Sequence, residues 1–202
     1  MTKLVGITGG VGCGKTTVLE ILKEITNCRV LLTDEIARDL MKKGGKAYLA
    51  IIDFFGQDYL DMSGEIDRVK LSKTVFAEEN KRMVLNSIVH PMVKQEVVTA
   101  ITAEKIEGKL NYVFVESAIL FEAHFDKFLD EVWYIYADEE VRRERLKKGR
   151  NYSDQRIDAM LEAQAGQDEY IKKCKHVIDN SKDRSITREN LLNLLADDSI
   201  KQ

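Results

Sequence analysis

Gly9-Gly-Val-Gly-Cys-Gly-Lys-Thr16 is the stretch on which the reading of this chain turns. It satisfies every fixed position of the pattern G-x-x-x-x-G-K-[ST]. An apolar, strand-like run, Leu4 to Thr8, precedes it. From about Gly14 onward, Val18, Ile21, Leu22 and Ile25 recur at helical spacing. Glycines let the backbone between such a strand and helix curl until successive N–H groups point inward at phosphate oxygens. The helix then presents its positive end to the anion. Gly10, Val11, Gly12, Cys13 and Gly14 are therefore candidate ATP contacts. Lys15 has the reach for the β- and γ-phosphates, Thr16 carries the hydroxyl expected on Mg²⁺, and Thr17 adds an α-phosphate contact. A plain strand-to-helix turn would account for the glycines but not for the lysine and threonine after them. Cys13 has two readings: a redox-sensitive thiol whose pKa the helix start lowers, or a residue small enough for the loop.

Outward from the loop, short apolar strands alternate with longer helical segments, the α/β pattern. Further strands are predicted over about Arg29–Leu32, Tyr112–Glu116, Glu131–Tyr136 and His176–Asp179. Asp34 is placed to begin a helix that stops at Gly44-Gly45, and helices dominate from about Lys46 to Ile106, with a turn at Met62-Ser-Gly64. Pro91, the single proline, suits the first turn of a helix, and Gly108 its end. Further helices are expected over about Glu139–Lys148, Asp154–Gln164 and Ile186–Leu195. Strands joined through helices imply a five-stranded parallel sheet with right-handed crossovers. Ligands bind at the carboxyl ends of such strands, where Gly9–Thr16, Asp34 and Glu116 lie.

Composition narrows the classes. With 202 residues and a net charge of −3, the chain has the length for a sizeable core and no basic excess that would point to nucleic acid or a membrane surface. No apolar run approaches the roughly 20 residues of a membrane span, and no basic leader precedes the first strand, so a cytoplasmic enzyme is expected. Cys13, Cys28 and Cys174 are too few and too scattered for a disulfide framework or zinc site.

A phosphate loop alone fits a small-molecule or nucleotide kinase, an ATPase, or a non-catalytic nucleotide switch. Asp61-Met-Ser-Gly64 matches a D-x-x-G switch pattern but follows no clear apolar strand, and no N-K-x-D guanine-reading motif is present. The remaining segments are more specific. Thr8–Thr17 with Leu32-Thr-Asp-Glu-Ile-Ala-Arg38, then Phe55-Gly56, Ser63-Gly-Glu-Ile-Asp-Arg68 and Val75-Phe76 stand in order along the chain. Leu85-Asn-Ser-Ile-Val-His-Pro91, Arg145-Leu146, Gln164 and Val177-Ile-Asp-Asn-Ser181 follow them. Together these segments resemble the dephospho-CoA kinases over nearly the whole length. Two positions depart from that family's pattern. Leu32 stands where the first aspartate of D-x-D is usual, and Ser117-Ala-Ile-Leu-Phe-Glu122 lacks the usual proline before L-L-F-E.

The resemblance implies a P-loop nucleoside-triphosphate-binding core with a helical substrate-binding insertion and a lid. The core would cover about residues 1–34, 108–138 and 166–202, the substrate region about 35–107, and the lid about 139–165. It implies phosphorylation of the ribose 3′-hydroxyl of dephospho-CoA by ATP with Mg²⁺, no nucleic-acid or membrane partner, and a monomer or small homo-oligomer. A hydroxyl nucleophile needs a proton acceptor; Asp34 is the candidate, and the resemblance gives it that role. A helix N-cap is the competing and compatible reading. Arg142, Arg143, Arg145, Lys147, Lys148 and Arg150 form a basic run that a helix cannot turn to one site. The resemblance singles out Arg145 as the group contacting the transferring phosphate; Arg150, next to Asn151-Tyr-Ser153, is placed in the lid and is a candidate ATP contact. Thr8, Asp34, His90 and Glu116 are candidate substrate residues. For His90 the alternative is a structural hydrogen bond at a helix start; for Glu116 it is a Mg²⁺-bound water or a structural partner. Asn180, after the last strand, is a candidate for the edge of the adenine pocket, or a turn residue.

Overall fold

The apolar run before the glycine loop forms β1 (Lys3–Thr8). The computed structural model describes residues 1–164 and 167–200, so the lid boundary expected at residues 165–166 lies outside the described residues. Parallel strands flank β1 on both sides: β3 (Tyr112–Glu116) and β4 (Glu131–Tyr136). Leu4, Val5 and Ile7 are buried without the alternation of a half-exposed strand, because a central strand is covered on both faces. β5 (His176–Asp179) pairs parallel to β4, with Trp133 opposite His176. With β2 (Cys28–Leu32) the sheet order is β2-β3-β1-β4-β5. The chain leaves β1 toward one edge and leaves β3 toward the other. Adjacent β1 and β3 therefore form the switch point whose carboxyl ends open a binding crevice. The register Ile7↔Glu116 sets the glycine loop and Glu116 side by side there.

The chain forms two compact units, Met1–Val30 with Glu104–Gln202, and Leu31–Ala103. The first holds most of the sheet, α1 (Lys15–Ile25) and the four C-terminal helices. These are α6 (Glu139–Arg150), α7 (Asp154–Glu162), α8 (Gln167–Lys173) and α9 (Arg184–Ile200). Val18, Ile21 and Leu22 of α1 are fully buried, as is Leu191 of the adjacent α9. Phe114 and Trp133 meet at 5.6 Å between ring centroids. Each such aliphatic or aromatic burial stabilises by about 1.5–3 kcal/mol. Truncating Ile7 to alanine would cost about 2–5 kcal/mol through the cavity left behind.

The second unit is helical. α2 (Thr33–Leu40) ends four residues before the glycine pair expected to stop it. α3 (Tyr48–Phe55) and α4 (Arg68–Ala77) follow. Asp67 caps α4, accepting from the N–H groups of Val69 and Lys70 at 3.0 Å each. Between α3 and α4, Asp61 Oδ1 accepts from the Ser63 N–H, the Ser63 hydroxyl and the Glu65 N–H, and Leu60 bridges Ile66. The D-x-x-G match is therefore a side-chain-tied turn. α5 (Glu79–Glu107) corrects an expectation: Pro91 lies in its interior, not in a first turn. Proline inside a helix costs about 3 kcal/mol. Val89, Val93, Val97 and Ile101, a buried stripe at four-residue spacing, run past it and outweigh that cost. α5 ends at Gly108, whose φ of +62° is the left-handed geometry of a helix stop. Among the described residues, no helix is long and apolar enough to cross a membrane.

Candidate active site

The loop 9–16 is held from outside by side chains, and the Cys13 N–H donates within it to the Gly10 carbonyl at 3.3 Å. Gly14, at φ 87° and ψ 35°, turns the chain into α1. A Cβ there would stand 2.3 Å from Asn180 Nδ2; one at Gly9 would stand 2.4 Å from the Ile135 carbonyl oxygen. Both positions need glycine for space as well as for φ. The Cys13 carbonyl accepts from Asn180 Nδ2 at 2.8 Å and Arg145 Nη1 at 3.2 Å. Arg145 Nη2 also donates to the Asn180 carbonyl at 2.8 Å. The Val11 carbonyl accepts from Arg142 Nε at 2.8 Å, and the Val11 N–H donates to Gln164 Oε1 at 3.0 Å.

Lys15 Nζ donates to the Gly9 carbonyl at 2.8 Å and stands 3.8 Å from Glu116 Oε1. The ammonium is thus parked over the mouth of the loop. Thr16, in the first turn of α1, is exposed, and its hydroxyl is a hard oxygen donor of the kind Mg²⁺ takes. Thr8 ends β1 and is buried. Cys13 is fully buried. Burial pushes its thiol pKa up, against the lowering by the Lys15 charge, so the redox-sensitive reading is replaced by that of a small, packed residue. Burial also pushes Tyr134, beneath the loop, up to about 12, with Cys13 adding to the rise.

The basic run divides as helix geometry requires. Arg142 and Arg145, three apart, face the loop. Arg143 pairs with Glu139 and Asp158, Lys147 with Asp154, and Lys148 with Glu144. Arg150, the last residue of α6, is exposed and takes no part in the loop hydrogen bonds above. Asn180 is 1% exposed, and its side chain is occupied: Oδ1 accepts from the Thr187 hydroxyl at 2.9 Å while Nδ2 holds Cys13.

Asp34 and His90 belong to the helical unit. Asp34 is not the N-cap of α2: that position is Leu32, and Asp34 is an exposed first-turn residue whose carboxylate favours the helix dipole. His90 lies in the interior of α5, which removes the helix-start reading; partial burial lowers its pKa. The structure thus brings Lys15, Glu116, Cys13, Arg145 and Asn180 together. It adds Arg142 as a loop contact that the charge run alone did not single out.

A parallel α/β sheet with a glycine loop, lysine and threonine at its switch point defines a P-loop nucleoside-triphosphate-binding protein. The chain matches the family described as Dephospho-CoA kinase over residues 3–185. It is 38% identical over 192 residues to a dephospho-CoA kinase of Carboxydothermus hydrogenoformans, covering 95% of this chain and 92% of that one. A dephospho-CoA kinase of Staphylococcus aureus is 33% identical over 198 residues, with 98% and 94% covered. The fold is similar to the solved dephospho-CoA kinase of Campylobacter jejuni, with a TM-score of 0.74 at 22% identity over 100% of this chain and 99% of that one. The chain belongs to the dephospho-CoA kinase family.

Proposed function

We propose that the chain transfers the γ-phosphoryl group of ATP to the ribose 3′-hydroxyl of dephospho-CoA, giving CoA and ADP, the last step of coenzyme A biosynthesis. The family match over residues 3–185 carries the acceptor, and the braced loop supports ATP as the donor. Its Val11 and Cys13 carbonyls are tied outward in a chain whose relatives carry that name.

The roles of the residues follow from their chemistry. Backbone N–H groups of Gly12, Gly14, Lys15 and Thr16 receive the phosphates, those of Val11 and Cys13 being taken by Gln164 and the Gly10 carbonyl, and Thr17 adds its hydroxyl at the α-phosphate. Lys15 moves from the Gly9 carbonyl to the β- and γ-oxygens, exchanging one oxygen acceptor for a charged one. Thr16 is the protein oxygen for Mg²⁺, which neutralises charge on the phosphates when bound. Asp34 accepts the 3′-hydroxyl proton as the new oxygen–phosphorus bond forms and the bond to the ADP oxygen breaks. Arg145, with donors beyond the two that hold carbonyls, stabilises charge on the equatorial oxygens. Thr8 and Glu116, and His90 in the helical unit, are the candidate contacts for dephospho-CoA, and Asn180 supports the nucleotide side through the loop. Residues 35–107 hold dephospho-CoA. The lid, whose described part is residues 139–164 and which includes Arg150, closes and excludes water, the competing acceptor. The enzyme acts in the cytoplasm as a monomer or small homo-oligomer.

The test is ADP release with dephospho-CoA, with nucleoside monophosphates, and with no acceptor. Release that requires dephospho-CoA supports the proposal. Equal release without acceptor, or with a nucleoside monophosphate alone, overturns it.

A further inference from the structure

Arg142, Gln164 and Val11 form a closed triangle of hydrogen bonds. The Val11 N–H donates to Gln164 Oε1 at 3.0 Å, Arg142 Nε donates to the Val11 carbonyl at 2.8 Å, and Arg142 Nη2 donates to Gln164 Oε1 at 2.8 Å. Arg142 stands on α6, and Gln164 lies just past α7. Contact between α6 and the loop is close: a Cβ on Gly12 would lie 3.0 Å from the Arg142 carbonyl oxygen and 3.1 Å from Leu146 Cγ.

The triangle orients a peptide plane. In a trans peptide the C=O of one residue and the N–H of the next point opposite ways. A Val11 carbonyl held by Arg142 therefore turns the Gly12 N–H to the other side of the loop. The Cys13 carbonyl, held by Arg145 and Asn180, does the same to the Gly14 N–H. Gln164 fixes the preceding plane through the Val11 N–H and also orients the Arg142 guanidinium.

The geometry points to Arg142 and Gln164 as positioning residues for ATP binding, which pre-set the leading peptides of the phosphate loop through Val11 without contacting phosphate. The inference rests on the reading of Gly9–Thr16 as an ATP site and is independent of the acceptor. It makes a chemical demand at position 164: an oxygen acceptor for two N–H donors. Glutamate meets that demand; leucine, of similar size, does not.

The test is MgATP affinity by calorimetry without acceptor on the full chain, with steady-state kinetics beside it. Gln164→Leu and Arg142→Ala are expected to weaken MgATP binding and raise its KM by about 5–10-fold, the scale of one lost hydrogen bond. The kcat and the KM for dephospho-CoA should stay within about 2-fold. Gln164→Glu should retain near-native affinity through charge-assisted bonds. The double variant Arg142→Ala/Gln164→Leu should be no weaker than the weaker single variant, since both break one triangle. Native affinity in Gln164→Leu, loss in Gln164→Glu equal to that in Gln164→Leu, or additive losses in the double variant would overturn the inference. If dephospho-CoA is not the acceptor, the calorimetric pattern still decides it.

Discussion

Asn180 Nδ2 donates to the Cys13 carbonyl at 2.8 Å across 167 residues of sequence. The end of β5 is thereby fastened to the apex of the phosphate loop. Replacing Asn180 by leucine leaves the buried Thr187 hydroxyl without its acceptor and the Cys13 carbonyl with Arg145 alone. Unmade buried bonds of this kind cost about 1–3 kcal/mol. Thermal denaturation of Asn180→Leu should show a midpoint lowered by roughly 2–12 °C, together with weaker ATP binding. A native midpoint with native affinity would show that the bond contributes nothing.

Gly14 tests the same contact from the other side. Alanine there would face both the left-handed φ of +87° and Asn180 Nδ2 at 2.3 Å. The backbone term alone costs about 1–2 kcal/mol, and Asn180 must also move off Cys13. Gly14→Ala should lose most ATP affinity in a titration while retaining its far-ultraviolet circular dichroism. By contrast, nothing lies within 4 Å of a Cβ built on Gly56. Its φ of +93° leaves backbone strain as the only penalty there, so Gly56→Ala should bind ATP normally.

Asp34 is proposed to act on the acceptor proton, not on ATP. Asp34→Asn should keep the KM for ATP and lower kcat by about 10²–10⁴, the range for removing a general base. Steady-state rates with dephospho-CoA varied at saturating ATP measure this. A loss confined to KM would identify Asp34 as a binding residue instead.

Glu131 provides a stability prediction with a sign. Burial raises its carboxyl pKa, but hydrogen bonds from Lys175, Trp133 and Lys3 with the Lys3 charge outweigh burial and hold it below its ordinary 4.5. Lys175 and Lys3 lie at 2.5 and 3.0 Å from Oε2, and Trp133 Nε1 at 2.7 Å from Oε1. A depressed folded-state pKa stabilises above the unfolded value, and that contribution is lost as pH falls through the folded one. Glu131→Gln should therefore melt below the native chain at pH 7, and the gap should narrow as pH drops below 4.5. A gap that stays constant down to pH 3 would contradict this.

The phosphate loop, the α/β class and most strand bounds are legible in the residues alone. Tyr112–Glu116, Glu131–Tyr136 and His176–Asp179 fall where their apolar runs end. These are local properties: apolar periodicity, glycine where φ is positive, lysine and threonine at fixed offsets. Pro91 misled because a local rule for proline competes with burial of the Val89–Ile101 stripe, and burial is decided by packing. In the sequence Asp34 reads as the base with a helix cap as a compatible second role, and the cap falls away once the helix is seen to start at Thr33. Which of the six clustered basic residues face the loop is set by packing across the fold. Packing likewise turns the Asn180 amide inward to Cys13 and brings Gln164 to Val11. Such contacts span more than a hundred residues and carry no period or spacing. They exist only because parallel strands β1, β4 and β5 bring their carboxyl ends to one edge of the sheet.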